Sequence, residues 1–177
     1  MLNHVGTRTL ETERLILRRF DENDADDMYN NWVTDPEVSR FWSWTPHKNI
    51  EETKFYINKW IAEYSNPAVY HWVIVLKSIA QAVGYIYIED NADDTVSVHY
   101  ALSRKHWNHG IMSEACKCVI DFAFSAFGVN GISTRHHAEN PASGRVMQKC
   151  GMRYVGADGD QLYYELTRSD WERVKLK

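Results

Sequence analysis

The sequence predicts an α/β domain of the α+β kind, with a mixed, mostly antiparallel sheet flanked by helices. Three observations carry that prediction. Helix-like and strand-like periodicities alternate along the whole chain. Three strand-like segments in its middle are joined by links too short for a crossover. No internal repeat or low-complexity linker divides the chain, and its 177 residues suit one domain spanning 1–177.

Taken in order, residues 14–20, Arg14 to Phe20, alternate well enough for a first strand. The acids Asp21, Glu22, Asp24, Asp26 and Asp27 open a helix through Met28, Tyr29 and Trp32, because carboxylates favour a helix N-terminus. Asp35-Pro36 stops it. An aromatic loop follows, with Phe41, Trp42 and Trp44 before Pro46. Asn49, with Glu52 three residues on, caps a second helix that carries Phe55, Ile57, Trp60 and Ile61 and ends near residues 65–67. Segments 70–76, 82–88 and 96–102 form an antiparallel meander. A long helix runs from about Gly110 to Phe127, with Ile111, Ala115, Val119, Phe122 and Ala126 on one stripe. Residues 132–137 return as a strand. Asn140-Pro141 opens a short helix that closes at Cys150-Gly151, where glycine suits a left-handed cap. Tyr154-Val155 and 162–166 are the last strands, and Ser169 caps a final helix holding Trp171.

Composition narrows the function. Hydrophobic residues make up 44% and aromatics 13%, too much for a disordered chain. The net charge is -4, whereas a nucleic-acid-binding domain is usually strongly basic. No apolar stretch approaches a membrane span, and no secretory leader is visible near Met1. Three cysteines, Cys116, Cys118 and Cys150, suit a reducing compartment, so a cytoplasmic location is expected. No metal is expected either. His106 and His109 lack ligand partners at suitable spacing, His136 and His137 point to opposite faces of a strand, and Cys116 and Cys118 diverge on a helix.

Residues 98–115 are the informative stretch. A strand ends, a basic turn follows, and a long helix begins at Gly110. Free N–H groups at a helix start, aided by its dipole, are suited to a phosphate, and Gly110 would admit close backbone approach. The stretch is neither a Walker A motif nor a G-x-G-x-x-G fingerprint. A second stretch, 138–152, reads locally as a capped amphipathic helix burying Val146, Met147 and Cys150.

Together the two stretches resemble the GNAT superfamily of acyl-CoA-dependent N-acetyltransferases. Residues 107–112, Trp107 to Met112, occupy the family's Q/R-x-x-G-x-G/A pyrophosphate motif, with Trp107 and Met112 as departures. Tyr100, Leu102, Trp107 and Gly110, then Asn140, Ser143, Lys149, Gly151 and Met152, look like the Rim-type branch of ribosomal-protein N-terminal acetyltransferases. So do residues 10–18 at the start and 166–171 at the end.

The resemblance implies a GNAT-like acyl-CoA N-acyltransferase fold and transfer of an acetyl group from acetyl-CoA to a primary amine by direct attack. It implies that Leu102 lends an amide to the pantetheine arm, and that the backbone amides of Asn108, His109, Gly110, Ile111, Met112 and Ser113 hold the diphosphate, with Trp107, Asn140 and Ser143 also at the cofactor. Ser143 is the implied partner of the leaving sulfur, since the alternative tyrosine position is Met147. The branch's base position is Ser97, leaving His99, Glu89 and Asp90 as candidates. Trp42 and Trp44 are expected to line the acceptor side.

The expected acceptor is a protein N-terminal α-amine. A small-molecule amine (a polyamine, amino sugar or antibiotic) and a non-catalytic acyl-CoA-binding module are the alternatives. Either a monomer or a homodimer is compatible. Residues 99–149 hold six Lys+Arg and three Asp+Glu, so this window is +3 while the remainder sums to -7. A locally basic half thus sits inside an acidic total, beside a region that could face an amine.

Overall fold

The computed structural model describes residues 2–91 and 93–175. Eight strands, β1 (Leu10–Glu11), β2 (Leu15–Arg18), β3 (Tyr70–Leu76), β4 (Gln81–Asp90), β5 (Thr95–Leu102), β6 (Gly131–His137), β7 (Arg153–Asp158) and β8 (Gln161–Thr167), form a mixed sheet. Its order is β1-β2-β3-β4-β5-β6-β8-β7. Every pairing is antiparallel except β5 with β6. The central meander β3-β4-β5 is as the short links require.

Helices cover both faces of the first half of the sheet, so β3 is buried on both sides. One core packs Leu15, Leu17, Trp72, Ile74, Ile86 and Val98 against α4 (Ile111–Phe122), whose apolar stripe includes Ile111, Ala115 and Val119. The opposite core packs Val73, Val75, Tyr85 and Ala101 against α1 (Asp24–Met28) and α3 (Ile50–Glu63). Val83 is an extra residue in β4, and the register shift there lets Val83 and Ile86 face one core while Ala82 and Tyr85 face the other. Among the described residues, no helix is long and apolar enough to cross a membrane.

Several elements differ from the sequence expectation. Leu10–Glu11 forms a short edge strand, and the strand expected over 14–20 shrinks to Leu15–Arg18. The first helix is broken. After Met28 it widens into a π-helical turn, Tyr29–Val33, closed by a Thr34 hydroxyl bond to the Tyr29 carbonyl. Trp32 and Val33 on this turn are both buried in the core. Pro36 then starts a helical turn, α2 (Pro36–Ser39), with Asp35 accepting from the Glu37 N–H at 3.0 Å. At the other end, α6 (Arg168–Lys175) begins before Ser169. Thr167 is its cap, its hydroxyl accepting from the Asp170 N–H at 3.2 Å.

The remaining boundaries hold to within about two residues, except that the strand predicted at Tyr154-Val155 runs on to Asp158 and the helix predicted to end near residues 65–67 stops at Glu63. Asn49 caps α3 by accepting from the Glu52 N–H. The long helix continues from α4 into a second π-helical turn, Ala123–Phe127. Asn140 caps α5 (Pro141–Lys149).

Candidate active site

The geometry begins where the sheet comes apart. Strand β5 pairs along its length with β4, from Gly84↔Leu102 to Asp90↔Val96. With β6 it pairs only at Thr95↔Gly131 and Val96↔Ile132. Past Val96 the two strands diverge into an open seam. The Ser103 N–H bonds the Val83 carbonyl, so by strand alternation the odd residues of β5 turn their backbone groups to β4. Val98, Tyr100 and Leu102 therefore turn theirs to the seam. Two of those groups are taken. The Thr134 hydroxyl donates to the Val98 carbonyl at 2.9 Å, and the Trp107 indole N–H donates to the Leu102 carbonyl at 2.8 Å. The Tyr100 and Leu102 amides face the gap between them. Trp107, expected among the cofactor contacts, braces, through its bond to the Leu102 carbonyl, the turn that leaves the seam.

That turn leads into α4. Gly110 is its N-cap at φ +75°, a conformation that side-chain-bearing residues rarely adopt. Asn108 also has positive φ, and Asn108 and His109 are exposed. Ile111 and Met112 bury their side chains, so they present only their N–H groups to the outside, with Ser113 completing the first turn. A carboxylate on that turn, Glu114, would oppose an anion there. It is neutralised by Arg14, which binds it at 2.6 Å and also donates to the His109 carbonyl at 2.9 Å. Burial works against ionising Glu114, but the Thr12 hydroxyl and the Arg14 N–H and guanidinium outweigh it and hold the carboxyl below its usual range. The helix start is left with its donors and dipole free for a diphosphate.

On the α4 face of the seam stands the start of α5. The Asn140 side chain accepts from the Ser143 N–H at 3.3 Å. The Ser143 hydroxyl lies 2.8 Å from the Tyr100 hydroxyl, which is also 3.3 Å from the Ser143 carbonyl. Ser143 thus reaches across to β5 rather than back into its own helix. Met147 is buried in the core, with 1% of its surface exposed.

The opposite face carries the other candidates. His99 Nε2 is 3.4 Å from a Glu89 carboxylate oxygen on β4, and the His99 ring stacks on Tyr87 at 4.8 Å. Burial pushes the imidazole below its ordinary value; Glu89 opposes this and Arg135 adds to it. Trp42 lies 6.5 Å from His99 and 6.4 Å from Tyr87, ring to ring. Trp44 sits behind Trp42, at 6.3 Å. Ser97 turns aside to Asn91, at 3.0 Å. Beside His99 a cleft of about 520 Å³ opens across β5, β6 and β8, lined by Ser97, Ser133, Arg135, Tyr163 and Glu165 among others.

The structure therefore brings together Ser143 with Tyr100 and Asn140, and separately His99 with Glu89 and Trp42. It places residues 108–113 at the helix start and Trp44 one layer back. Sequence reasoning gave Tyr100 no chemical role and missed Arg14 and Arg135. Tyr100 and Ser143 are 43 residues apart, and Arg14 and Glu114 are 100 apart, so only the topology pairs them. Among the described residues, no group of three or more His, Cys, Asp or Glu side chains is arranged to hold a metal ion. His136 and His137 do point to opposite faces, His136 toward α5 and His137 onto Phe41.

Comparison with known proteins bears on this arrangement. Residues 14–153 match the acetyltransferase (GNAT) domain family. The chain is 28% identical to the uncharacterized N-acetyltransferase YoaA of Bacillus subtilis, over 91% of this chain and 92% of that protein. It is 27% identical to the uncharacterized N-acetyltransferase p20 of Bacillus licheniformis, over 84% of each. Its fold is similar to that of a GNAT-family acetyltransferase from Bacillus anthracis, with a TM-score of 0.79 at 22% identity, covering 92% of this chain and 99% of that one. It is also similar to ribosomal-protein-S5-alanine acetyltransferase from Vibrio fischeri, with a TM-score of 0.77 at 19% identity, covering 93% and 98%.

Proposed function

Because this chain belongs to the GNAT acetyltransferase family and is an acetyl-CoA-dependent N-acetyltransferase, we propose that its acceptor is a protein N-terminal α-amine, acetylated by direct attack. The observation that carries the reading is the open seam, with a serine hydroxyl on one face and a histidine paired with a carboxylate on the other.

The residues present fit acetyl-CoA. The first-turn N–H groups of α4, with Gly110 at positive φ, suit its diphosphate, and the seam amides of Tyr100 and Leu102 suit its pantetheine arm and acyl carbonyl. When bound, acetyl-CoA supplies an acyl group activated as a thioester. Neutral His99 takes one proton from the attacking amine, and Glu89 steadies the imidazolium that forms. Ser143 gives a hydrogen bond to the sulfur, which leaves with the electron pair of the broken C–S bond. The proton on His99 passes to solvent, and the thiolate takes one from solvent, so the exchange balances.

The acceptor preference rests on the mildness of that base. An α-amine of pKa about 8 is roughly a tenth neutral at pH 7, whereas a lysine is below about 0.1% neutral. A half-buried histidine whose pKa is lowered suits the first and gives little help to the second. The resemblance to the Vibrio fischeri ribosomal-protein acetyltransferase supports the same acceptor class.

The test is thiol release from acetyl-CoA across three acceptor sets: peptides with free α-amines, Nα-blocked lysine peptides, and small polyamines and amino sugars. Faster turnover of the free α-amine peptides is expected. Preference for the small amines would replace this acceptor by a small molecule. Tight acetyl-CoA binding with no turnover in any set would make the protein a binding module.

A further inference from the structure

Tyr100 is the one residue of β5 that contributes to the seam twice, through its backbone and through its side chain. Its amide faces the gap, while its ring crosses the α4 face to reach α5. The hydroxyl meets two atoms of a single residue, Ser143 Oγ at 2.8 Å and the Ser143 carbonyl at 3.3 Å. A phenol has one proton to donate. If Tyr100 gives it to the distant carbonyl, Ser143 must point its own proton back at the phenol and has none for the seam. If Tyr100 gives it to Oγ, the shorter contact, the Ser143 proton is free to turn outward. Hydrogen bonds in a chain also strengthen one another, so a serine that accepts from a phenol is a better donor.

We propose that the Tyr100 hydroxyl is a positioning group for Ser143, donating to its Oγ so that the Ser143 proton is aimed at the sulfur leaving the acyl group. The inference rests on the reading of Ser143 given above. Tyr100 does not itself touch the reacting atoms through its hydroxyl; it acts through Ser143. Desolvation raises its phenol well above the ordinary range, so it stays a donor at every working pH. The alternative of a purely structural tyrosine makes a different prediction, because then the Tyr100 and Ser143 hydroxyls would contribute independently.

The experiment is a double-mutant cycle on the full-length protein, with acetyl-CoA and a free α-amine peptide. Tyr100→Phe keeps the ring and removes only the hydroxyl. It is expected to lower kcat about tenfold, the size of one neutral hydrogen bond, with KM for acetyl-CoA unchanged within about twofold. Ser143→Ala is expected to lower kcat by about ten- to a hundredfold. The double variant is expected to be no slower than Ser143→Ala alone, because a phenol with no serine to orient has nothing left to lose. Tyr100→Met is a second hydroxyl-free side chain of similar reach, and thermal melts choose between the two. Wild-type kcat in the folded hydroxyl-free variant would overturn the proposal. So would losses that multiply in the double variant. If Ser143→Ala itself turns over at the wild-type rate, the reading of Ser143 falls and this inference falls with it. A slow Ser143→Ala beside a normal Tyr100→Phe removes Tyr100 alone.

Discussion

Gly144 lies on the fourth residue of α5, one place after Ser143, and is buried against the ring of His136 on β6. A Cβ added there would stand 2.6 Å from His136 Nε2 and 3.1 Å from Cε1. In an open helix Gly→Ala would stabilise by about 1 kcal/mol. Here the ring cannot swing away cheaply. His136 is 6% exposed, its Nδ1 is bonded to the His137 carbonyl at 2.8 Å, and its ring packs on Tyr164 at 5.4 Å. Overpacking a buried site costs about 1–3 kcal/mol, so the collision outweighs the helix gain. The expected net destabilisation of Gly144→Ala is about 1 kcal/mol, or a fall of roughly 2–4 °C in Tm for a chain of this size. In a His136→Ala background the obstacle is gone. The same Gly144→Ala change should then raise Tm by about the same amount over the His136→Ala protein. Thermal melts of the four proteins read the inversion of sign directly. A higher Tm for Gly144→Ala in the otherwise wild-type chain would refute the reasoning, because it would mean that the ring yields without cost.

Other predictions address the site itself. Gly110→Val is expected to weaken acetyl-CoA binding at least about tenfold by calorimetry, since a β-branched residue at φ +75° must rearrange the helix start; unchanged affinity would refute the cradle. The obstacle there is conformation rather than collision, because the only neighbour of a new Cβ among the described residues is Arg14 Nη2, at 3.5 Å. Activity that requires neutral His99 is lost as pH falls through its pKa, which burial holds below the usual 6.5. Removing the anion with Glu89→Gln lowers that pKa further and moves the acidic limb of kcat to lower pH. Removing the cation with Arg135→Gln raises it and moves the limb to higher pH. Limbs that shift the same way, or neither shifting, would exclude His99 as the base.

The elements that could be read from the sequence are those defined by local signals. Asn49 and Asn140 announce their helices because a cap needs only its own side chain and an N–H three residues on. Gly110 marks the start of α4 for a similar local reason. What could not be read depends on distant partners. The first helix is broken by a π turn at Tyr29–Val33, and nothing in its own periodicity asks for one. Asp24, read only as an acid favouring a helix start, is a buried bidentate partner of Arg18, at 2.7 and 2.8 Å. The final cap fell to Thr167 rather than Ser169 because Thr167 is the last residue of β8, so its hydroxyl already stands over the first helical N–H groups. The site shows the same division. The helix start at 108–113 is contiguous and was visible, whereas the seam exists only because β6 parts from β5 after Val96.

The net charge of -4 also takes on a spatial meaning. The basic window 99–149 contains three acids, and each is answered by a cation from outside it. Glu114 pairs with Arg14 at 2.6 Å, Glu139 with Arg40 at 3.4 Å, and Asp121 with Lys175 at 3.8 Å. Of the window's own cations, Arg104 is bound to Asp35 at 2.9 Å. Lys105, Lys117, Arg145 and Lys149 are exposed and have no ion pair among the described residues. The cations that belong to the window are therefore largely unspent, while its anions are cancelled. Exposed pairs of this kind add little to stability, so their consequence is electrostatic rather than structural. They leave positive potential around the start of α4 and along α5, where a diphosphate and a further phosphate would lie. The seam separates that potential from the face where, in the proposed mechanism, Glu89 and His99 would meet an amine, so each face can be tuned for a reactant of opposite charge.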